Sequence, residues 1–378
     1  MPRKILTLVG TRPECIKLSA VIGELARHTD HVLVHTGQNY DYELNGVFFE
    51  QLALPKPDHF LDVAADTASA TVARVIERTD AVLREVRPEG VLILGDTNSC
   101  MGVYAAKRLK IPIFHMEAGN RCFDQCVPEE INRKIIDHIS DINMPYTEHA
   151  RRYLLAEGLP PERTIKTGSP MREVLERHAT AIDASDAMQR MQLTPGRYFV
   201  LSCHREENVD EPERLERLRR CLVALDAAFG MPVIFSVHPR TMTRLAALGG
   251  PGLPAGVIQS KPFGFFDYVS LQKNAFCVLS DSGTLTEESA ILDFPAVMLR
   301  QTHERPEGMD MGSVLMADLS PDSLVDAVRV ATGQRDPALA RQFTLPEDYA
   351  PADVSRKVTR IILSYVDYVN RVVWRRGI

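Results

Sequence analysis

The stretch KILTLVGTRPE, Lys4 to Glu14, decides the fold class, because a short apolar strand passes directly into the start of a helix. Lys4–Val9 is rich in β-forming residues, and Pro13 suits the first turn of a helix. The same alternation continues along the chain. Further β-rich runs are His31–His35, Gly90–Leu94, Ile111–His115, Tyr198–Ser202, Pro232–Val237 and Phe276–Ser280. Amphipathic stretches between them include Thr67–Arg84, Glu211–Phe229 and Pro321–Ala331. Short apolar strands alternating with helices predict parallel sheets covered on both faces, so we expect a doubly wound α/β fold.

The strand–helix pattern restarts near residue 170, which predicts two domains. A chain of 378 residues is long for one hydrophobic core and suits two. We predict a first domain of residues 1–170 together with a C-terminal helix within 352–378, and a second domain of residues 171–351. The stretch Ala179–Arg197 is polar and leads into the second set of strands. The final helix, Ala352–Trp374, carries an apolar stripe that must be buried, and packing back on the first domain would bury it.

Charge and composition exclude several classes of function. The net charge is −6, without a dense basic stripe, so we expect no nucleic-acid partner. No apolar run reaches the roughly 18–20 residues that span a bilayer, so we expect no membrane partner. The first apolar run, Ile5–Val9, is too short for a signal peptide, which predicts a cytoplasmic protein. The seven cysteines are scattered, and Cys122 and Cys126 have no second pair nearby, so free thiols are favoured and no metal site is predicted.

Three acidic residues stand where the ligand edge of the first domain is expected. In open α/β sheets ligands bind beyond the carboxyl ends of strands, and Asp96 and Glu117 each follow a strand. Glu129 lies at a proline-led helix start. Each has a structural alternative: Asp96 as a helix N-cap, and Glu129 as the i,i+4 partner of Arg133. As a set, three acids in one domain are typical of proton transfer or of stabilising an oxocarbenium-like centre.

Two features indicate anion binding. Gly10 allows a tight turn, and the helix start after it would offer free N–H groups to a phosphate, with Arg12 as a bidentate donor; the alternative is a simple strand-to-helix cap. His204 and His238 each follow a strand and lie close to an arginine, which favours an anion site over two structural histidines.

A third candidate follows the strand Phe276–Ser280. Ser282, Gly283 and Thr284 would present hydroxyl and N–H groups to a diphosphate at a helix start, and Glu288 would then grip a ribose diol. Thr284 and Glu287 also fit a capping box, which is compatible with that site.

Taken together, these segments resemble the non-hydrolysing UDP-N-acetylglucosamine 2-epimerase family. The matching segments, in the family's order from residue 10 to residue 308, are GTRPE with Lys17, GDTNS, HMEAGNR, VPEEINR, CHREEN, SVHPR, SDSGTLTEE and ERPEG. The resemblance implies a GT-B-like architecture of two Rossmann-like domains facing a cleft, and a homodimer. By the resemblance, the catalytic positions are Asp96, Glu117, Glu129 and His204. The positions implied to bind the UDP-sugar are Arg12, Lys17, Arg133, His238, Ser282, Gly283, Thr284 and Glu288.

The implied reaction inverts carbon 2 of a UDP-N-acetylhexosamine without a cofactor. The carbon 2 proton has no adjacent carbonyl to acidify it, and the chain lacks a convincing NAD motif. Expulsion of UDP would place positive charge on carbon 1, so that a carboxylate can remove the carbon 2 proton and leave a 2-acetamidoglucal. UDP would then add back as a proton arrives on the opposite face. The alternatives are a GT-B glycosyltransferase, a hydrolysing 2-epimerase and a non-catalytic nucleotide-sugar sensor.

Two departures from the family pattern narrow the subtype. Thr284 stands where the family usually has a second glycine. Gln38–Glu43 differs from the segment of allosteric members, which argues against activation by UDP-N-acetylglucosamine. The segments GQNYDYEL, GNRCFDQ and HREENVD resemble the branch that converts UDP-N-acetyl-6-deoxy-L-talosamine to UDP-N-acetyl-L-fucosamine for capsule or O-antigen.

Overall fold

The computed structural model describes residues 2–38, 42–209, 211–237, 239–247 and 252–376. The chain forms two compact units, Met1–Arg177 with Glu347–Ile378, and His178–Pro346. Each unit contains one six-stranded sheet whose neighbouring strands are all parallel.

The first unit is built on a sheet in the doubly wound order. Its strands are β1 (Lys4–Val9), β2 (Asp30–His35), β3 (His59–Phe60), β4 (Gly90–Leu94), β5 (Ile113–Met116) and β6 (Ile142–Met144). Its helices before the second unit are α1 (Arg12–His28), α2 (Tyr42–Gln51), α3 (Ala68–Val86), α4 (Val103–Arg108), α5 (Pro128–Ile139), α6 (Glu148–Ala156) and α7 (Met171–Arg177). The strand order β3-β2-β1-β4-β5-β6 reverses direction between β1 and β4, which is where such sheets open a crevice for ligands.

The second unit repeats this winding. Its strands are β7 (Phe199–Ser202), β8 (Val233–Ser236), β9 (Val257–Ser260), β10 (Cys277–Ser280), β11 (Ala296–Leu299) and β12 (Leu315–Ala317). Its helices are α8 (Ala179–Asp183), α9 (Ala187–Arg190), α10 (Glu206–Val209), α11 (Pro212–Phe229), α12 (Pro239–Ala247), α13 (Phe265–Lys273), α14 (Thr284–Leu292), α15 (Pro306–Asp310) and α16 (Pro321–Gly333). The order β12-β11-β10-β7-β8-β9 reverses between β7 and β10.

The last helix, α17 (Val354–Val372), belongs to the core of the first unit. Its apolar stripe, which includes Val358, Ile362 and Val366, joins the buried cluster that also contains Leu18 and Ile22 of α1. At its start, the Ser355 backbone N–H donates to Glu173 of α7 at 2.8 Å. An amphipathic face of this length is stable only when it is covered, and α1 covers it.

The predicted fold class, doubly wound α/β with two Rossmann-like domains, is confirmed. The strands missed from the sequence are β3, β6, β9, β11 and β12. All but β11 are edge strands, and β3, β6 and β12 have only two or three residues. The stretch Ala179–Arg197, interpreted only as polar, contains α8 and α9 and buries Ile182 and Ala187. Helices of four or five residues are too short to show an apolar period. In the part of the chain that the structure describes, no helix has the length and apolar character needed to cross a membrane.

Candidate active site

Both sheets place their chemistry-bearing residues at the point where the strand order reverses. In the first unit, Gly10 follows β1 and Asp96 follows β4. In the second unit, His204 follows β7 and Ser282 follows β10. The sequence predictions therefore fall on the edge of each sheet that binds ligands in this fold.

The turn after β1 is packed too tightly for any residue but glycine. A methyl group on Gly10 would lie 1.8 Å from Ser99 Oγ and 2.1 Å from Thr36 Oγ1, which are hydrogen-bonded to each other. Arg12 lies over the Phe48 ring, 5.5 Å from its centre. The turn is thus fixed against the ends of the neighbouring strands.

Glu14 caps the start of α1, where the sequence predicts a phosphate site. Its Oε2 accepts from the backbone N–H groups of Gly10 (2.6 Å) and Thr11 (3.2 Å), and its Oε1 accepts from Thr97 Oγ1 (2.5 Å). Burial raises the pKa of Glu14 to about 7, although these hydrogen bonds oppose the shift. The N–H groups of Gly10 and Thr11 are therefore not free, and the strand-to-helix cap that was the alternative is present; it joins this turn to the loop of Asp96.

Glu117 is held by a buried lysine. Its Oε2 lies 2.6 Å from Lys17 Nζ of α1, and Asn120 Nδ2 donates to its Oε1 at 3.4 Å. The backbone of Glu117 has φ 63°, a left-handed conformation that non-glycine residues adopt rarely and that is common at functional sites. Lys17 therefore contacts one of the predicted catalytic acids.

Asp96 forms an ion pair with Arg133 of α5. The guanidinium Nε and Nη2 lie 3.0 Å and 2.6 Å from Asp96 Oδ2, while Nη1 donates to Glu130 at 2.8 Å. Asn132 donates to the Asp96 carbonyl at 3.0 Å. The pattern had offered Glu129 as the partner of Arg133; Asp96 and Glu130 are partners that it did not predict. Glu129 itself is half-buried in the first turn of α5.

Asp137 is a buried residue of this region that sequence reasoning missed. Its carboxylate lies 3.0 Å from His115 Nδ1 and 2.7 Å from Arg121 Nη1, and it accepts from the Gly119 N–H at 3.2 Å. Arg121 is also paired with Glu157 at 2.6 Å. This network fixes the turn that carries Glu117, and nothing in the sequence distinguishes Asp137 from an ordinary helix acid.

In the second unit the buried acid, Asp281, fixes the backbone that follows β7. Asp281 accepts from the N–H groups of His204 and Arg205, each at 3.0 Å, and from Asn208 Nδ2 at 3.1 Å. Burial alone would raise the pKa of Asp281, but the nearby His204 and these donors outweigh it and hold that pKa below its usual range. His204 Nδ1 lies 3.3 Å from Asp281, with its ring more than half exposed.

At the helix start after β10, Ser282, Gly283 and Thr284 are half-buried. Ser282 Oγ lies 3.0 Å from Thr284 Oγ1, and Glu288 one turn later accepts from Gln272 Nε2 at 2.8 Å. The predicted capping box of Thr284 with Glu287 is wrong. Gly283 is the N-cap residue, and Glu287 is buried 3.5 Å from Arg305 Nη2.

The remaining predicted residue, His238, lies outside the described residues, as do Asn39, Tyr40 and Asp41 of the segment used to assign the subtype. Among the described residues, no group of three His, Cys, Asp or Glu side chains is arranged to hold a metal ion.

Comparison with known proteins decides the family. A profile of the family described as UDP-N-acetylglucosamine 2-epimerase matches residues 23–363, which is most of the chain. The chain belongs to this family. The predicted resemblance to the family and the predicted class of enzyme, an epimerase-type isomerase, are thereby confirmed.

Individual relatives of the epimerase agree with this placement. The UDP-N-acetylglucosamine 2-epimerase from Rickettsia bellii is 53% identical in sequence, and its structure matches with a TM-score of 0.93 over all of both chains. The Methanocaldococcus jannaschii UDP-GlcNAc 2-epimerase, solved with UDP-GlcNAc and UDP, is 31% identical with a TM-score of 0.88, covering 96% of this chain and 99% of that one. The UDP-2,3-diacetamido-2,3-dideoxy-D-glucuronate 2-epimerase of Pseudomonas aeruginosa is 33% identical over 88% of this chain and 93% of its own length.

Proposed function

We propose that this epimerase inverts carbon 2 of a UDP-N-acetylhexosamine by eliminating UDP and adding it back through a 2-acetamidoglucal. The observation that carries the proposal is the pair of carboxylates, Asp96 and Glu117, at the ends of the adjacent strands β4 and β5, each in contact with a cationic side chain. The M. jannaschii relative binds UDP-GlcNAc and UDP, which supports a UDP-sugar as the substrate.

The first unit supplies the proton transfers in this proposal. Removal of the carbon 2 proton from one face and its return on the other needs two acid–base groups, and Asp96, Glu117 and Glu129 are the candidates. Lys17 and Arg133 orient two of these carboxylates, and the buried Asp137 network holds the turn of Glu117 in place. Fixed carboxylates also favour the positive charge that develops at carbon 1 as UDP leaves.

The second unit holds the leaving group. The N-terminus of α14 directs N–H groups and a positive dipole end toward an anion, and Ser282 and Thr284 add hydroxyl groups beside it. His204, exposed on a backbone fixed by Asp281, is placed to donate to a departing diphosphate. Glu288 is the candidate partner for the ribose hydroxyls.

The finer assignments are proposals of the same kind. They comprise a cytoplasmic homodimer without a cofactor, and a role in capsule or O-antigen biosynthesis through UDP-N-acetyl-6-deoxy-L-talosamine. The P. aeruginosa relative acts on a different UDP-sugar, which supports variation of the substrate among relatives of this chain.

A substrate panel in heavy water tests the proposal. The panel contains UDP-N-acetylglucosamine, UDP-N-acetyl-6-deoxy-L-talosamine and UDP-2,3-diacetamido-2,3-dideoxy-D-glucuronate, with Glu117→Gln as the control protein. Deuterium at carbon 2, with the UDP linkage retained, is the expected result for at least one member. Absence of exchange with every UDP-hexosamine would contradict epimerisation. Release of a free N-acetylhexosamine would identify the hydrolysing alternative.

A further inference from the structure

A carboxylate already lies beside the helix start that we assign to the diphosphate. A methyl group placed on Gly283 would lie 3.3 Å from Glu304 Oε2, so Glu304 sits directly against the N-cap of α14. Helix N-termini attract anions, and a glutamate carboxylate resembles one face of a phosphate in charge and in acceptor oxygens. The site thus contains an anion supplied by the protein.

Arg300 is a buried cation that is only partly used. It directly follows β11, which pairs with β10, and its side chain is 3% exposed. Its Nη2 donates to Glu304 Oε1 at 2.9 Å, whereas its Nη1 is buried without a hydrogen-bond partner among the described residues. A buried, unused N–H on a guanidinium is costly, which points to an acceptor that arrives with a ligand.

Arg205 shares the same carboxylate oxygen. Its Nη2 lies 3.2 Å from Glu304 Oε1, and its Nε donates to the Asp281 carbonyl at 3.1 Å. Arg300 and Arg205 therefore converge on one point from the ends of β11 and β7, next to Gly283. Two guanidinium groups that converge at a helix N-terminus are a typical arrangement for binding phosphate groups.

We propose that Arg300, together with Arg205, binds the diphosphate of the nucleotide, and that Glu304 occupies the diphosphate's place until the nucleotide displaces it. This inference rests on the proposed function, because it assigns residues to the same UDP site. Asp281 does not compete for the role of Glu304, since the oxygens of its carboxylate accept from backbone and side-chain N–H groups.

The displacement has a physical reason. With Glu304 in place, the charges of Arg205 and Arg300 are partly neutralised, and an incoming diphosphate meets a like charge next to Gly283. Once Glu304 moves away, both arginines are available to a ligand that carries more charge and more acceptor oxygens. Until then Glu304 holds the two guanidinium groups at the site.

The test compares the affinities of UDP and of uridine, which lacks phosphate, for the whole protein by NMR or calorimetric titration. Arg300→Gln should raise the Kd of UDP about tenfold or more, since a charge-assisted hydrogen bond contributes about that factor. It should leave the Kd of uridine unchanged, and Arg300→Lys should give an intermediate value. Glu304→Gln should lower the Kd of UDP several-fold, because the competing charge is gone. Arg329→Gln on the exposed face of α16 is the matched control and should change neither affinity.

Three results would overturn the inference. These are an unchanged Kd of UDP in Arg300→Gln, an equal loss of UDP and uridine affinity in that variant, or weaker UDP binding in Glu304→Gln. Uridine binding shows that a variant is folded. Carbon 2 exchange by the wild-type protein tests the proposed function separately, so the assignment of Arg300, Arg205 and Glu304 can fail while the epimerase activity stands.

Discussion

The two strand-order reversals of this molecule share one winding but use charge in opposite ways. In the first unit the cations are buried and the acids reach outward: the side chains of Lys17 and Arg133 are each 3% exposed, against 12% for Glu117 and 21% for Asp96. In the second unit the pair of Asp281 and His204 has a buried acid, 0% exposed, and a histidine that reaches outward, 55% exposed.

This difference explains how one fold can make two kinds of site. In each of these pairs the buried side chain holds the group that is presented at the strand ends. The first unit presents carboxylates suited to proton transfer, and the second presents N–H groups, a histidine and a helix start suited to an anion. Substitutions that remove the charge of one residue test this comparison.

The largest expected effect is on turnover, from changes in the outward-facing acids. Asp96→Asn or Glu117→Gln should lower kcat by about 10²–10⁴-fold, since an acid–base group contributes about that much. The Kd of UDP should hardly change, because the proposed UDP site lies in the second unit. Steady-state kinetics and UDP titration measure both quantities. Unchanged turnover in either variant removes that residue from the mechanism.

A smaller effect, on stability, is expected from the buried network behind the acids. Asp137→Asn leaves the fully buried Arg121 without one of its two carboxylate partners, and should lower the free energy of unfolding by about 3 kcal/mol. Urea unfolding measures the change, with the exposed Asp326→Asn as the control. If stability is unaltered, the network does not hold the turn of Glu117. UDP affinity should survive in Asp137→Asn, because the proposed diphosphate site lies in the other unit.

The last expected effect is a pH dependence of the stability of the first unit. Burial raises the pKa of Glu14 to about 7, so the folded chain holds this proton more tightly than the unfolded chain does. The free energy of unfolding should therefore fall as pH rises from about 4.5 to about 7, by at most about 1.4 kcal/mol per pH unit. Glu14→Gln should lack this slope.

The comparison must be made between wild type and Glu14→Gln across that pH range. Burial lowers the pKa values of His31 and His35 to about 4, and these two groups stabilise the fold as pH rises instead. They are present in both proteins, so their contribution cancels in the difference. Parallel pH profiles for the two proteins would show that Glu14 is ionised throughout.

The ends of the strands could be predicted from the sequence, whereas the side-chain contacts between residues distant in the chain could not. Apolar runs such as Gly90–Leu94 mark where a buried strand ends, and this places Asp96 and Ser282 at the correct edge. The partners of Asp137, and the convergence of Arg300 with Arg205, involve residues that are distant in the chain, so the sequence pattern does not reveal them. The capping box of Thr284 with Glu287 failed because the helix starts one residue earlier than that pattern requires, and Glu287 instead lies close to Arg305.

The most direct test of the central claim is a positional isotope exchange on the carbon 1–oxygen bond. A UDP-sugar substrate labelled with oxygen-18 in the bridge between carbon 1 and the β-phosphate is incubated in heavy water. Reversible elimination predicts that the label moves into non-bridging positions of the β-phosphate as deuterium enters carbon 2, and that both processes fall together in Glu117→Gln. Deuterium at carbon 2 with the label still confined to the bridge would contradict the account, because the carbon 1–oxygen bond would never have opened.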